Sequence, residues 1–277
     1  MRKTLIAAAV AGLFSLPSVV MAQAAAPASP HTFTGNVGFA TEYLYRGIAQ
    51  TRGKPALQGG FDYAHASGLY AGVWGSNISW IGDAVAGASA SLEIDVYGGY
   101  KGSFGGDFGY DIGVLTYNYP GTGKTVTAVQ ELKQDTTEVY GALSWKWLTV
   151  KYSHSTSALF GWAKNPGALT DKTTGSGYLE LNAAYDLGNG WGITGHIGDQ
   201  KVRGNGPASY TDYKLGVTKD VGFGVVGLAY SSTNAKDSCT GVAATTANDV
   251  YCFVNNNGTN AYSAGKDKLV ATFSKTF

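Results

Sequence analysis

The chain has 277 residues, 40 of them glycine, with 18 tyrosines, 11 phenylalanines and 6 tryptophans. Its 20 basic and 19 acidic side chains leave a formal charge of +1, a balance without the field that gathers nucleic acid, so that partner class is excluded. Glycine at about twice its average usage, frequent aromatics and the lack of Leu-rich helical stretches argue against a helical bundle and for an all-β chain.

The chain opens with Met1-Arg2-Lys3, then the apolar run LIAAAVAGLFSLPSVV, then small or apolar residues at Val20 and Ala22. This is the layout of a secretory signal, with a cut expected after Ala22, and the run is too short for a spanning helix. Removing residues 1–22 takes away Arg2 and Lys3 and no acid, so 18 bases face 19 acids and the formal charge becomes −1. Residues 23–32 read as a flexible lead-in, and 33–277 as one domain. No apolar run of spanning-helix length remains after the signal. Entry into a membrane would therefore require a closed β-barrel, because only helices and barrels satisfy their backbone groups in lipid.

Period-2 patterning predicts strands at 33–43, 56–65, 69–78, 91–100, 107–117, 137–145, 148–155, 178–187, 191–199, 211–219, 223–232 and 268–277. The spacers between them alternate long and short. An outer-membrane barrel keeps that rhythm, with short periplasmic turns, long external loops and an even number of strands. The expected fold is a single transmembrane antiparallel β-barrel of about twelve strands, with both termini periplasmic. The segments 118–136 and 156–177 are long enough to hide a further hairpin.

Within 91–100, Leu92, Ile94, Val96 and Tyr100 share one face and Glu93, Asp95 and Tyr97 the other. Within 178–187, Leu179, Leu181, Ala183, Tyr185 and Leu187 alternate with Glu180, Asn182 and Asp186. A soluble sandwich would turn the apolar face to its core, whereas a barrel in lipid turns it outward. Phe33, Tyr43, Tyr63, Tyr100, Phe108, Trp145, Trp147, Tyr185, Trp191 and Phe223 fall near strand ends, as an interfacial aromatic girdle requires. The final segment carries Leu269, Ala271, Phe273 and Phe277 on one face. It is expected to pair with the first strand, close the barrel, and be read by the barrel-assembly machinery through Phe277. Lys275 interrupts the apolar face and is expected to snorkel to the interface.

The densest cluster outside the strands is EYLYRGIAQT (42–51). Glu42 and Arg46 lie four apart beside Tyr43 and Tyr45, which suits a helical turn, a folded-in constriction loop or an interfacial plug, or else a structural tie in which Arg46 pairs with luminal acids and fixes the first loop. The predicted register points Asp62, Glu93, Asp95, Asp111, Glu138, Glu180 and Asp212 into the lumen, against Lys151, Lys214 and Lys268. Such rows either create a field across a narrow pore or form a salt-bridged plug. Cys239 and Cys252 fall in the longest loop, and in an oxidising compartment they are expected to form a disulfide.

PGTGKT (120–125) ends like a phosphate-binding loop, but the position where that motif needs its first glycine is Asn118. His31, His65, His154 and His196 are scattered. YSHST around His154 invites a Ser–His reading, yet no third, orienting group has suitable spacing. No grouping has metal-ligand spacing. The residues thus nominate no catalytic group, metal or cofactor.

Several stretches, in order from about Gly35 to Phe277, resemble the TorF family of porins: TEYLYRGIAQT with PALQGGFDY, GLYAGVWGSNI, LEIDVYGGYKG, FGYDIGVLTYNYPG, EVYGALSWKWLTVKYSHS and YLELNAAYDLGNGWGITGHIG. The resemblance implies an exported barrel classed with porins, and neither a substrate nor a catalytic residue. Three functions follow: a diffusion channel for small polar solutes or ions in the outer membrane, weakly cation-selective from its excess of luminal acids; a closed structural or adhesive barrel working through its loops; and, least supported, an outer-membrane enzyme. Expected partners are outer-membrane lipid, the assembly machinery and the solutes themselves.

Overall fold

In a computed structural model, which describes residues 29–84, 89–121, 133–164, 171–241, 243–254 and 259–277, the alternating segments form twelve strands of one closed barrel. They are β1 His31–Ala40, β2 Ala56–His65, β3 Leu69–Asn77, β4 Leu92–Phe104, β5 Phe108–Asn118 and β6 Thr136–Trp145. They continue as β7 Leu148–Ser155, β8 Gly177–Gly188, β9 Trp191–Lys201, β10 Tyr210–Asp220, β11 Val225–Thr233 and β12 Lys268–Thr276. Each strand pairs antiparallel with its sequence neighbours, and β12 returns to β1 in the register Asn36↔Thr276 to Ala40↔Thr272. The closure extends one residue further. The Gly35 amide donates to the Phe277 carbonyl at 2.8 Å and the Phe277 amide to Gly35 at 2.9 Å. No sheet edge is left in the barrel, which removes the unpaired backbone row that an open sheet would expose.

One end of the barrel carries the short connections, and both β1 and β12 reach that end. Asn189 and Gly190 make one such turn with φ of 53° and 76°. Both central residues are left-handed there, as the commonest two-residue hairpin requires. The other end carries the spacers 41–55, 78–91, 119–135, 156–176, 202–209 and 234–267. The described residues of 119–135 and 156–176 add no barrel strand, only an isolated bridge between Ala163 and Lys172 and a short 3-10 turn at Leu159–Gly161.

The pleat sorts side chains as a barrel in an apolar medium would. On β8, Leu179 is 52% exposed whereas Glu180 is 2% exposed. Leu92, Val96, Phe61, Ile112, Leu143, Leu215 and Leu228 are also exposed, while Glu93, Asp95, Glu138 and Asp212 are buried. A soluble monomer rarely exposes an apolar surface that runs round the whole molecule. The conventional apolar core lies instead among the long loops. One cluster joins Tyr43, Leu44, Tyr45, Ile78, Ile81 and Tyr119, and a second joins Ile48, Leu159, Val202, Ala208, Tyr251 and Phe253. Together they cap the long-loop end.

Several boundaries differ from the sequence expectation. β1 begins at His31, inside the predicted lead-in, because His31 and Thr32 pair with His65 and Ala64 of β2. It ends at Ala40 rather than at residue 43, so Tyr43 leaves the girdle and is 3% exposed inside the loop cluster. β4 runs on to Phe104, and this carries Lys101 onto the inner face beside Asp111 of β5. The expected signal and its cut after Ala22 lie outside the described residues, as do the residues 122–125 of PGTGKT.

Candidate functional site

The first long spacer does not stay outside. Leu44–Tyr45 and Ile48–Ala49 pair as a minimal hairpin around Arg46 and Gly47, whose φ values of 47° and 77° make the same left-handed turn as Asn189–Gly190. A non-glycine residue in that region costs about 1–2 kcal/mol, and what offsets the cost is the position it gives Arg46. The side chain is fully buried in the lumen and makes a two-pronged ion pair with Glu138 of β6, at 3.0 Å to Oε1 and 2.7 Å to Oε2. Its Nη1 also donates to Gln200 Oε1 at 2.6 Å, and the guanidinium stacks 4.1 Å from the Tyr178 ring. Gly47 presses on the opposite wall, where an added Cβ would lie 2.5 Å from Thr233 and 2.9 Å from Asp212. The hairpin therefore crosses the lumen from β6 to β10 and β11 at the long-loop end.

The flanks of the hairpin are tied by phenols. Tyr43 donates to Glu93 Oε1 at 2.6 Å, and Tyr45 to Tyr117, which donates to Glu138 at 3.2 Å. Glu42 does not pair with Arg46 across a helical turn. It accepts from the Gly53 amide at 2.7 Å and from Tyr262, and lies 3.5 Å from Lys268 Nζ. Burial pushes the phenols of Tyr43, Tyr45 and Tyr262 well above the usual tyrosine range, so each stays a neutral donor. The helical reading of 42–51 is thus replaced by a β-hairpin: Arg46-Gly47 sits between two apolar pairs, and that sequence suits a two-residue turn.

The other nominated residues face inward in two groups. On one wall Asp62 accepts from Tyr97, Tyr70 joins Asp111 and Tyr140, and Asp111 stands opposite Lys101. Lys151 lies over the Tyr140 ring and opposite Glu180. Asp95 is buried beside Glu93 on β4, with its Oδ1 left without a hydrogen bond. On the second wall His196 joins Asn182 at 2.7 Å and Asp212 at 2.9 Å, while Asp212 also accepts from Tyr178 at 2.8 Å. Lys214 stands opposite His196.

Sequence reasoning misses Lys101, which lies one residue beyond the predicted strand 91–100. It also misses Gln200 and Tyr178, whose part depends on where the hairpin lands. Among the described residues named here, eight luminal acids, counting Glu42, stand against Arg46, Lys101, Lys151, Lys214 and Lys268, so an excess of acid persists.

Beneath the hairpin the wall formed by β9 to β12 and β1 is built from short side chains: Thr194, Gly216, Thr218, Gly227, Ala229 and Thr272. They border a cavity of about 50 Å³ together with Glu42, Gln58 and Lys214. His154 faces the outside of the barrel, with its Nδ1 3.3 Å from the Tyr152 hydroxyl, whereas Ser153 and Ser155 are buried on the inner side. The serines and the histidine of YSHST are therefore on opposite faces of the wall. Among the described residues no three His, Cys, Asp or Glu side chains are grouped to hold a metal ion. Cys239 and Cys252 are joined in a disulfide within 234–267.

Residues 24–277 match the model of a family described as a bacterial protein of unknown function, Gcw_chp. The chain belongs to the Gcw_chp family. No curated protein matches this Gcw_chp chain in sequence. Among solved structures it is similar to the KdgM porin in complex with disordered oligogalacturonate, at 8% identity over 89% of this chain and 98% of that one, with a TM-score of 0.48. It is similar to the NanC porin at 8% identity over 88% and 98%, TM-score 0.48, and to the P. putida toluene transporter TodX at 11% identity over 91% of each chain, TM-score 0.44.

Proposed function

We propose that this protein is an exported outer-membrane channel for passive diffusion of small polar solutes or ions, weakly cation-selective, with its outer mouth constricted by the 41–55 loop. The observation that carries this reading is the combination of an apolar outer wall with a polar lumen whose β9–β12 side is lined by short side chains beneath the hairpin. A barrel meant only as a scaffold gains stability by filling its interior, because voids forfeit packing. The resemblance to TorF porins supports the same class, and the excess of luminal carboxylates supports a cation preference. In this account residues 1–22 are the export signal, Phe277 and its strand serve the assembly machinery, and no chemistry is catalysed.

A closed barrel acting through its loops is the second reading, and the apolar cap over the long-loop end favours it. Efflux from lipid vesicles separates the two. With refolded chain inserted, release of alkali cations is expected at rates well above protein-free vesicles, while a dye larger than the lumen is retained. Vesicles that hold all small solutes despite full insertion would support the closed barrel.

A further inference from the structure

We propose that the outer face of β7, β8 and β9, at the long-loop end, is a binding site for the phosphate of a lipid headgroup in the adjoining leaflet. The proposal rests on the reading of the chain as membrane-spanning. The site comes from register. Gly177 pairs with His154 on one side and Lys201 on the other, so the three form one row across three strands, and all three positions face outward. Gly177, with no side chain, lets Tyr152 lie across that row: an added Cβ would stand 2.5 Å from the Tyr152 hydroxyl, which also reaches His154 Nδ1 at 3.3 Å. Arg203 rises above the row and is anchored by its Nη1 to the Thr174 carbonyl at 3.3 Å, while its amide is held by Ser176 Oγ at 3.0 Å. Lys164 packs along Gly204, next to Arg203.

The charges favour an anion. Lys201 is 72% exposed and pairs with Asp199 at 3.1 Å. Arg203 is exposed and Lys164 partly so, and the flanking exposed Asp171 and Lys172 add one charge of each sign. The next outward row is Tyr152, Leu179 and Asp199, and Val150 and Leu181 lie below it; Tyr152, Leu179, Val150 and Leu181 are all exposed and Asp199 carries the one acid of that row. A phosphate seated between Lys201, Arg203 and the Tyr152 hydroxyl would put its acyl chains on that apolar surface. A free anion gains nothing from the apolar part, so the occupant is a lipid. A cation near an anionic membrane surface contributes about a five-fold preference.

The test uses the full chain refolded into bilayers of mixed phosphatidylglycerol and phosphatidylcholine, with co-purifying lipids counted by native mass spectrometry. The parent is expected to retain phosphatidylglycerol preferentially. Lys201→Gln and Arg203→Gln should each lower that preference by about five-fold. Lys146→Gln and Lys219→Gln, each of which removes one charge at the short-turn end, should each leave it unchanged. Equal retention by parent and rim variants, equal loss in the control pair, or displacement of the lipid by millimolar inorganic phosphate would each overturn the site. Failure of the parent to insert would overturn the membrane reading and the site together, whereas insertion without headgroup preference overturns the site alone.

Discussion

Arg46 and Glu138 together decide whether the hairpin stays in the lumen. Removing one partner of a buried ion pair leaves the other uncompensated, a cost of about 3–5 kcal/mol. Arg46→Ala is therefore expected to raise hydrogen exchange at the Tyr45 and Ile48 amides by two orders of magnitude or more and to enlarge conductance. Arg46→Met with Glu138→Leu should restore most of the protection. Unchanged exchange in Arg46→Ala would mean that the apolar flanks alone hold the loop.

Glu93 and Asp95 are the second residue-scale test. They lie side by side on the inner face of β4, and replacing them by Gln and Asn should move the reversal potential in a salt gradient toward anions. No movement would show that they do not face the solute path. The sequence exposed these carboxylates through simple alternation. It could not show that Tyr43 bonds to Glu93, because that contact spans fifty residues and depends on a loop turning inward.

At the scale of elements, alternation and turn composition made every barrel strand legible to within a few residues, since the period of two is imposed by the pleat itself. What stayed hidden were the ends. β4 outruns its apolar pattern by Lys101–Phe104, and β1 stops early where the chain bends into the lumen at Thr41. The β9–β12 wall shows how element-scale packing bears on function. Thr194→Trp or Thr218→Trp would fill the space under the hairpin, so unitary conductance should fall severalfold with the barrel still assembled. Conductance equal to the parent would place the path elsewhere.

The disulfide belongs to the longest loop, where Cys239 sits on a two-residue ribbon and Cys252 on a three-residue one. A crosslink closing a loop of this length contributes about 3 kcal/mol in the chain-entropy model. Alkylation followed by mass spectrometry should label no cysteine before reduction and two after it. Cys239→Ser with Cys252→Ser should make 234–267 more sensitive to protease while strand content is kept.

At the scale of the whole molecule, two kinds of burial coexist. The barrel satisfies its backbone by closing and leaves its apolar side chains outside, for lipid to cover. The loops build an ordinary apolar core at one end only. Fold class was legible because both the strand period and the long–short rhythm survive in one sequence. Whether solutes pass was not legible, because that depends on the 41–55 loop and on the balance of Lys101, Glu42 and the other inward charges. Single-channel recording of the refolded parent in a planar bilayer, under a salt gradient, tests the central claim most directly. Discrete conductance steps with a reversal potential displaced toward the cation equilibrium potential are the predicted result. A silent bilayer with verified insertion, or steps that reverse on the anion side, would contradict it.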